Sequence, residues 1–405
     1  MTQHTAPAEI QLAVPPSLAP LVSALAASPE LQARLGPLVM PDEFVAATRK
    51  ISVELGLTFD EATLRDSLRP DPLGISRWSG APLSTASWPQ GDWLPARSIE
   101  AAPPQFDWAW FGPQRLTDPF YEDSVRREGS RPLSLLMRTR TTLDAVLHGA
   151  QSADSLPLSG LIFHMSRCGS TLLARILASL PQHIVASEPE PLDAVLRWAY
   201  VTQTGRDEAI AAVRAIVAAI GRRRDSSSRR LFIKLDAWHA LSLPLLRAAF
   251  PDVPWVYLYR DPTEVMVSVI DLPGLLGVPG ALPETQRAIP DGETLSRVEY
   301  CARALALPGK AVIENWSLGG GMAVDYAQLK QAALDTIPAH FGFLPDSSEI
   351  EAMRAAAGEY SKRPAEAFTG DSQRKQSAAT AELRAAVRTH LASVHDGLGV
   401  LNDIF

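Results

Sequence analysis

The chain of 405 residues has few cysteines and no long apolar segment. Its two cysteines, Cys168 and Cys301, cannot form a disulfide framework and show no CxxC or zinc-ligand spacing. No run of 18 or more apolar residues occurs, so we expect no membrane span. The N-terminal stretch also lacks the basic and apolar regions of a signal peptide. These absences favour a reducing, cytoplasmic location.

Positive charge is not in excess either. The chain has 38 Lys and Arg against 45 Asp and Glu, a formal net charge of −7, which argues against nucleic acid as a general partner. The nucleoside-triphosphate signature GxxxxGK[ST] is missing, which disfavours ATP with Mg²⁺. We also expect no metal, because no cluster of metal ligands stands out in the sequence.

Composition divides the chain into four regions. We expect residues 1–15 to be a disordered N-terminus and residues 16–70 to be a small helical module of about three short helices. Residues 71–155 form a bridging region rich in proline and tryptophan, whose aromatic residues either attach an irregular segment to a core or line a substrate site. Residues 156–405 have the pattern of a catalytic α/β domain.

The α/β pattern predicts a three-layer fold with a parallel sheet between helices. Short apolar runs alternate with amphipathic helices, which favours right-handed βαβ units. Ligands bind such sheets beyond the carboxyl ends of the strands. The predicted strands are 160–165, 183–187, 230–235, 254–259 and 321–325.

The first of these strands leads into a short polar turn, Ser166-Arg167-Cys168-Gly169-Ser170-Thr171, and then a helix. A helix N-terminus offers unpaired backbone N–H groups and a positive dipole end, so it favours a phosphate. Gly169 permits close approach of an anion, Ser170 and Thr171 add hydroxyl donors, and Arg167 adds a planar cation suited to phosphate or sulfate. The alternative is an ordinary glycine-containing turn between a strand and a helix.

Three more strand ends carry charged residues. Arg260 ends one strand, and Ser268 follows eight residues later, so both could face one anionic group. Lys234 lies beside apolar residues near the end of another strand, where its burial is costly unless it meets an anion. Glu188 follows a third strand and is a candidate general base, with Glu190 as the rival. Glu188 could instead only stabilise the start of the following helix.

These segments together resemble the sulfotransferases, which transfer a sulfuryl group from 3′-phosphoadenosine 5′-phosphosulfate (PAPS). The resemblance spans about residues 160–375. The segments are most similar to those of the tyrosylprotein-type and bacterial members, and the resemblance implies a P-loop-like nucleotide-binding fold. It implies that the turn wraps the 5′-phosphosulfate, that a second pair binds the 3′-phosphate, and that a Tyr-x-x-Leu element follows. The implied cofactor-binding residues are Arg167, Cys168, Gly169, Ser170, Thr171, Arg260, Ser268 and Tyr326.

The resemblance also implies catalytic roles. Glu188, 21 residues after Arg167, corresponds to the base, and Lys234 corresponds to a lysine that faces the transferring group. The histidine base of the small-molecule branch has no clear counterpart. The family's C-terminal glycine-rich nucleotide loop is absent as well, and a basic stretch over 360–376 stands in its place. The resemblance suggests that residues of this stretch close over the 3′-phosphate, namely Ser361, Lys362, Arg363, Arg374 and Lys375.

The helical pattern of 16–70 resembles a small leader-peptide domain associated with nitrogen fixation, which implies docking of a partner. The sequence therefore predicts a PAPS-dependent sulfotransferase that needs no metal. Its acceptor (a peptide, a glycan or a small molecule) is left open. Two alternatives remain at this point: a P-loop-type kinase of a small molecule or peptide, and a non-catalytic nucleotide-binding interaction protein.

Overall fold

The computed structural model of the chain describes residues 14–69, 83–85, 87–99, 101–358 and 372–402. These residues form two compact units. The first contains the described residues up to 114 together with 122–155 and 218–225, and the second contains 115–121, 156–217 and the residues from 226 onward. No helix in the described ranges is both long enough and apolar enough to cross a membrane.

The first unit combines helices with a four-stranded sheet of order β1-β4-β3-β2. The pair β1–β4 is parallel, and the other pairs are antiparallel. The strands are β1 Leu83–Thr85, β2 Trp93–Ile99, β3 Gln105–Trp110 and β4 Thr139–Thr142. The helices are α1 Ala19–Ala27, α2 Pro29–Leu35, α3 Pro41–Leu55, α4 Glu61–Ser67, α5 Tyr121–Gly129, α6 Pro132–Met137 and α7 Leu143–Ala150.

Tryptophan side chains form much of the core of this first unit. Trp88, Trp93, Trp108 and Trp110 are at most 7% exposed. The indole N–H of Trp108 donates to the Thr141 hydroxyl at 2.8 Å, and those of Trp88 and Trp93 donate to a backbone carbonyl and to a glutamine amide oxygen. Buried indoles need such partners because an unpaired N–H is costly. These four tryptophans therefore stabilise the first unit.

The second unit is built on a fully parallel five-stranded sheet of order β6-β7-β5-β8-β9. The central strands read as continuous apolar runs because helices cover the sheet. Large buried rings such as Phe163, Phe232 and Trp255 fill the space around it. The strands are β5 Leu158–His164, β6 His183–Ser187, β7 Arg230–Lys234, β8 Trp255–Tyr259 and β9 Gly321–Asp325. This architecture confirms the predicted α/β fold class.

Helices follow the strands in the alternation that the sequence predicts. Short 3₁₀ helices lie between these elements at Ala237–Ser242, Leu275–Gly277, Gly292–Thr294 and Trp316–Leu318. The α-helices are α8 Ser170–Ala178, α9 Glu190–Thr202, α10 Arg206–Ile220, α11 Leu243–Ala249, α12 Pro262–Asp271, α13 Pro283–Ala288, α14 Arg297–Glu314, α15 Leu329–Ala332, α16 Thr336–His340, α17 Ser347–Gly358, α18 Ser372–Ala378, α19 Ala381–His390 and α20 Ala392–Asn402.

Candidate active site

The turn between β5 and α8 has the backbone of an anion-binding loop. Ser166, Arg167 and Gly169 have φ values of 78°, 51° and 88°. Successive residues in such conformations turn their N–H groups toward one concavity, and the first N–H groups of α8 have no partner within the helix. A Cβ at residue 169 would lie 2.7 Å from Leu329 Cδ2 and 2.9 Å from the Tyr326 ring. Only glycine therefore fits this position.

The side chains of the loop divide into two groups. Those of Ser166, Arg167, Ser170 and Thr171 line a cavity together with Gly169. Cys168 does not line it: its thiol is buried and donates to the Leu258 carbonyl at 3.1 Å. Burial raises the pKa of this thiol to about 12. The predicted nucleotide contact of Cys168 can therefore come only from its backbone.

The second predicted anion site lies in the same cavity. Arg260 follows β8 directly, and both Arg260 and Ser268 of α12 line the cavity wall. The Arg260 guanidinium carbon lies 4.2 Å from the centre of the Tyr326 ring, and its Nε donates to Glu264 at 2.7 Å. The Ser268 hydroxyl donates to the Glu264 carbonyl at 3.0 Å. These contacts fix the orientation of a cation that is only 6% exposed.

The cavity has a volume of about 500 Å³ and lies beyond the carboxyl ends of β5, β6, β7 and β8. Tyr326, which follows β9, and the predicted Arg374 and Lys375 of α18 complete its polar lining. Ser361 and Lys362, predicted to close over the nucleotide, lie outside the described residues, as does Arg363. Glu190, the rival base, is not among the residues that line this cavity.

Glu188 and Lys234 form a buried ion pair at the ends of neighbouring strands. The Lys234 ammonium is fully buried and pairs with the Glu188 carboxylate. Its Nζ also lies 5.2 Å from the centre of the Phe120 ring. Glu188 lines the cavity, whereas Lys234 does not. Burial by itself would raise the pKa of Glu188, but the charge of Lys234 and the neighbouring His164 outweigh it and lower that pKa.

His164 lies at the end of β5 and lines the cavity next to Glu188. Its Nδ1 accepts the Ser166 N–H at 3.1 Å, so a neutral ring carries its proton on Nε2. That Nε2 lies 3.5 Å from the Glu188 carboxylate. Burial lowers the pKa of His164, which favours the neutral ring. His164 therefore links the loop 166–171 to the Glu188–Lys234 pair.

A second acidic group follows β7. Asp236 lines the cavity and precedes the 3₁₀ helix Ala237–Ser242. Its N–H donates to His239 Nδ1 at 3.2 Å, and His239 Nε2 lies 2.8 Å from an Asp193 carboxylate oxygen. A carboxylate oxygen each of Asp193 and Asp236 and a ring nitrogen of His239 lie within 4.8 Å of one another. Hydrogen bonds account for this clustering, because they join His239 to the Asp193 carboxylate and to the backbone N–H of Asp236.

Several cavity residues are absent from the sequence predictions. Five of them are apolar or aromatic: Phe120, Trp238, Leu272, Leu275 and Leu276. Phe120 comes from the segment 115–121, which belongs to the same unit as the sheet although it is distant in sequence. For Asp236 a signal was present, because an acidic residue directly after a parallel strand lies at the ligand-binding edge of the sheet.

Comparison with known proteins gives one family match. Residues 161–273 match the model of the Sulfotransferase family. No curated protein matches the chain. The predicted resemblance of residues 16–70 to a leader-peptide domain is not borne out.

Solved structures that resemble the chain are also sulfotransferases. The sulfotransferase domain from the curacin biosynthetic pathway is 15% identical, with 58% of this chain and 98% of that chain covered and a TM-score of 0.37. Sulfotransferase STF9 from Mycobacterium avium is 14% identical, with 60% and 78% covered and a TM-score of 0.39. Mouse sulfotransferase SULT7A1, complexed with PAP, is 13% identical, with 64% and 92% covered and a TM-score of 0.34.

All three TM-scores are low, so the matched family segment is the stronger finding. That segment contains the loop 166–171, Glu188, Lys234, Arg260 and Ser268. The resemblance of this chain to the sulfotransferase family is thereby confirmed, over the residues that build most of the polar cavity lining.

Proposed function

We propose that the chain transfers a sulfuryl group from PAPS to a hydroxyl or amine of an acceptor. The observation that carries this proposal is the shared cavity: the loop 166–171 and the pair Arg260 and Ser268 line the same space of about 500 Å³. A nucleotide with anionic groups on both its 5′ and 3′ sides needs two anion-binding places within one site. The sequence pattern and the family match point to the same reaction.

The residues at the two places suit the two ends of PAPS. The loop would hold the 5′-phosphosulfate with its backbone N–H groups, the hydroxyls of Ser170 and Thr171, and the guanidinium of Arg167. Arg260 and Ser268 would hold the 3′-phosphate, beside the Tyr326 ring. Arg374 and Lys375 add further positive charge at the cavity wall.

The reaction asks little covalent chemistry of the protein. The acceptor oxygen or nitrogen attacks sulfur, the bond from sulfur to the 5′-phosphate oxygen breaks, and the acceptor proton goes to a base. Donors in the loop stabilise the charge that develops on the leaving phosphate, and removing one such donor commonly costs about 10²–10³ in rate. Glu188 is the base that the sequence predicts, and its carboxylate lies in the cavity in its ionised form.

The acceptor in this proposal has an apolar body. Phe120, Trp238, Leu272, Leu275 and Leu276 line the same cavity as Glu188 and Asp236. Apolar lining of this kind buries apolar surface of a ligand, while the few polar groups orient the reacting atom. A phenol or another hydroxyl compound with an apolar body fits this lining better than a strongly polar glycan.

The proposal is tested by separating the two anion sites. Adenosine 3′,5′-bisphosphate (PAP) and adenosine 5′-monophosphate differ only in the 3′-phosphate, so their affinities are compared by calorimetry. Arg260→Gln should weaken PAP binding by about 10- to 100-fold, since a hydrogen bond to a charged group contributes about 1.5–3 kcal/mol. Binding of the monophosphate should stay unchanged. Arg354→Gln, which changes an exposed arginine of α17, is the control.

Three outcomes contradict the proposal. Equal affinity of the unchanged protein for the two nucleotides would mean that no 3′-phosphate site exists. Binding of ADP with Mg²⁺ in preference to PAP would favour the kinase. Tight PAP binding without transfer of ³⁵S from labelled PAPS, to 2-naphthol or to any component of a lysate of the source organism, would favour a nucleotide-binding interaction protein.

A further inference from the structure

Three carboxylates of the described ranges line the cavity, and their surroundings differ. Glu188 and Asp236 lie at the ends of the neighbouring strands β6 and β7, and Asp271 lies at the end of α12. Asp271 is exposed, whereas the side chains of Glu188 and Asp236 are 24% and 14% exposed. The two less exposed groups are therefore the ones whose charge the protein controls.

Glu188 is committed to a buried cation. Lys234 has no exposed surface, and the Glu188 carboxylate is its ion-pair partner. A proton placed on Glu188 would remove that partner and leave an uncompensated charge in the interior, which is strongly unfavourable. Glu188 therefore suits a role in which it stays ionised and holds Lys234.

Asp236 is in the opposite situation. The nearest group on its own element that can carry a positive charge is His239, whose Nδ1 lies 3.9 Å from the carboxylate and accepts the Asp236 N–H. The other charged groups that act on it are Glu188 after β6, Asp193 of α9 and Lys234 of β7. Two of these three are negative, so a proton on Asp236 relieves repulsion between like charges.

We propose that Asp236 takes the proton from the acceptor, while Glu188 is a positioning residue that keeps Lys234 in place. The inference rests on the proposed sulfuryl transfer. As the acceptor oxygen bonds to sulfur and the bond from sulfur to the phosphate oxygen breaks, the acceptor proton moves to the Asp236 carboxylate and then to water.

The titration of Asp236 agrees with this role. Burial and the negative charge of Glu188 raise the pKa of Asp236 to about 7. A base is most effective when its pKa lies near the working pH. Since the base must be deprotonated, kcat/KM for PAPS, which reports the free enzyme, should rise with pH through about 7.

The first test needs no acceptor. Difference infrared spectra over a pH titration should show the C=O stretch of a carboxylic acid appearing as the pH falls through about 7 in the unchanged protein. Asp236→Asn should remove that band, and Asp271→Asn should keep it. In Glu188→Gln the band should persist and move to lower pH, because a negative neighbour is lost. A neutral-pH band that survives in Asp236→Asn would overturn the inference.

The second test measures transfer from ³⁵S-labelled PAPS to 2-naphthol. Asp236→Asn should lower kcat by about 10²–10⁴-fold, the usual contribution of a general base, and should abolish the acidic limb of the pH profile. Its affinity for PAP should stay within about twofold of the unchanged protein. Glu188→Gln should retain an acidic limb at lower pH. Loss of the limb in Glu188→Gln but not in Asp236→Asn would make Glu188 the base.

The two tests also separate failure of this inference from failure of the proposed function. If the unchanged protein transfers sulfur to no acceptor, the proposed function fails, and the infrared titration still decides whether Asp236 is the carboxylate that protonates near neutral pH. If transfer occurs and Asp236→Asn keeps the rate and the limb, only the inference about Asp236 fails.

Discussion

Replacing Gly169 by alanine tests the loop at its tightest point. The new methyl group would meet Leu329 Cδ2 at 2.7 Å and the Tyr326 ring at 2.9 Å, with φ held at +88°. The positive φ costs an L residue about 1–2 kcal/mol. Forcing a carbon into a packed site adds about 1–3 kcal/mol. Together these terms predict a loss of about 2–5 kcal/mol in the free energy of unfolding.

Two other glycines of the same unit separate these contributions. Gly342 has φ of +75°, and a Cβ added there would meet no atom within 4 Å, so Gly342→Ala should show only the conformational cost of about 1–2 kcal/mol. Gly205 has neither a positive φ nor a neighbour within 4 Å, so Gly205→Ala avoids both costs and should lose at most about 1 kcal/mol, because Gly205 caps the start of α10. The urea midpoint should be lowest for Gly169→Ala, higher for Gly342→Ala and highest for Gly205→Ala, with the same dependence of the unfolding free energy on urea in all three.

The same substitution should also weaken nucleotide binding. Tyr326 would have to move away from the new methyl group, and its ring is the surface against which the Arg260 guanidinium lies at 4.2 Å. Calorimetry with PAP should therefore show lower affinity for Gly169→Ala and unchanged affinity for the other two variants. A Gly169→Ala protein as stable as Gly342→Ala, with normal PAP affinity, would refute this packing of the loop.

Other predictions concern buried ionisable groups. Lys234→Met should cost about 3–5 kcal/mol because it leaves Glu188 buried without its partner, and adding Glu188→Gln should recover part of the loss in a double-mutant cycle of urea unfolding. Cys168 and Cys301 are buried with raised pKa values, so a thiol reagent should modify neither in the folded protein and both after unfolding. Burial lowers the pKa of His183 to about 4, so the folded state binds fewer protons than the unfolded state below about pH 6.5. Stability should thus fall by up to about 3 kcal/mol as the pH drops from 6.5 toward 4, and His183→Phe should remove that part of the slope.

The parallel sheet was predictable because its signals are local. Each strand is a short apolar run bounded by polar or proline-containing segments, and β6 and β9 have the predicted bounds 183–187 and 321–325. The periodicity of residues 377–397 predicts a single helix, whereas the structure has three shorter helices in this part of the chain, α18, α19 and α20. Thr380 accepts the Leu383 N–H and starts the second of them, a capping signal that the periodicity masked.

The sheet of the first unit was missed for a different reason. Proline inside a strand argues against a strand, yet Pro95 lies in β2, where the pairing with β3 shifts between Pro95 and Arg97. A bulge tolerates the missing N–H at such a position. Trp88, Trp93, Trp108 and Trp110 fill the core of that unit, and a tryptophan that lines the cavity, Trp238, comes from the segment after β7 instead.

The site was predictable where a motif is contiguous and was missed where it is assembled by the fold. The loop 166–171 and the spacing of Arg260 and Ser268 can be read directly. The relation between Glu188 and Asp236 depends on β6 and β7 being neighbours, with Ser187 opposite Lys234. Nothing in a linear sequence states that these two strands are adjacent.

The charges around the cavity explain why a single carboxylate would respond to the nucleotide. A bound bisphosphate is strongly negative, and its field opposes every ionised carboxylate nearby. Glu188 is protected from this effect because its carboxylate is paired with the ammonium of the fully buried Lys234. Asp236 has no comparable partner among the described residues, so nucleotide binding should raise its proton affinity further. The midpoint of the infrared titration should therefore move to higher pH when PAP is added. A midpoint that PAP leaves unchanged would mean that the nucleotide and Asp236 do not share the cavity.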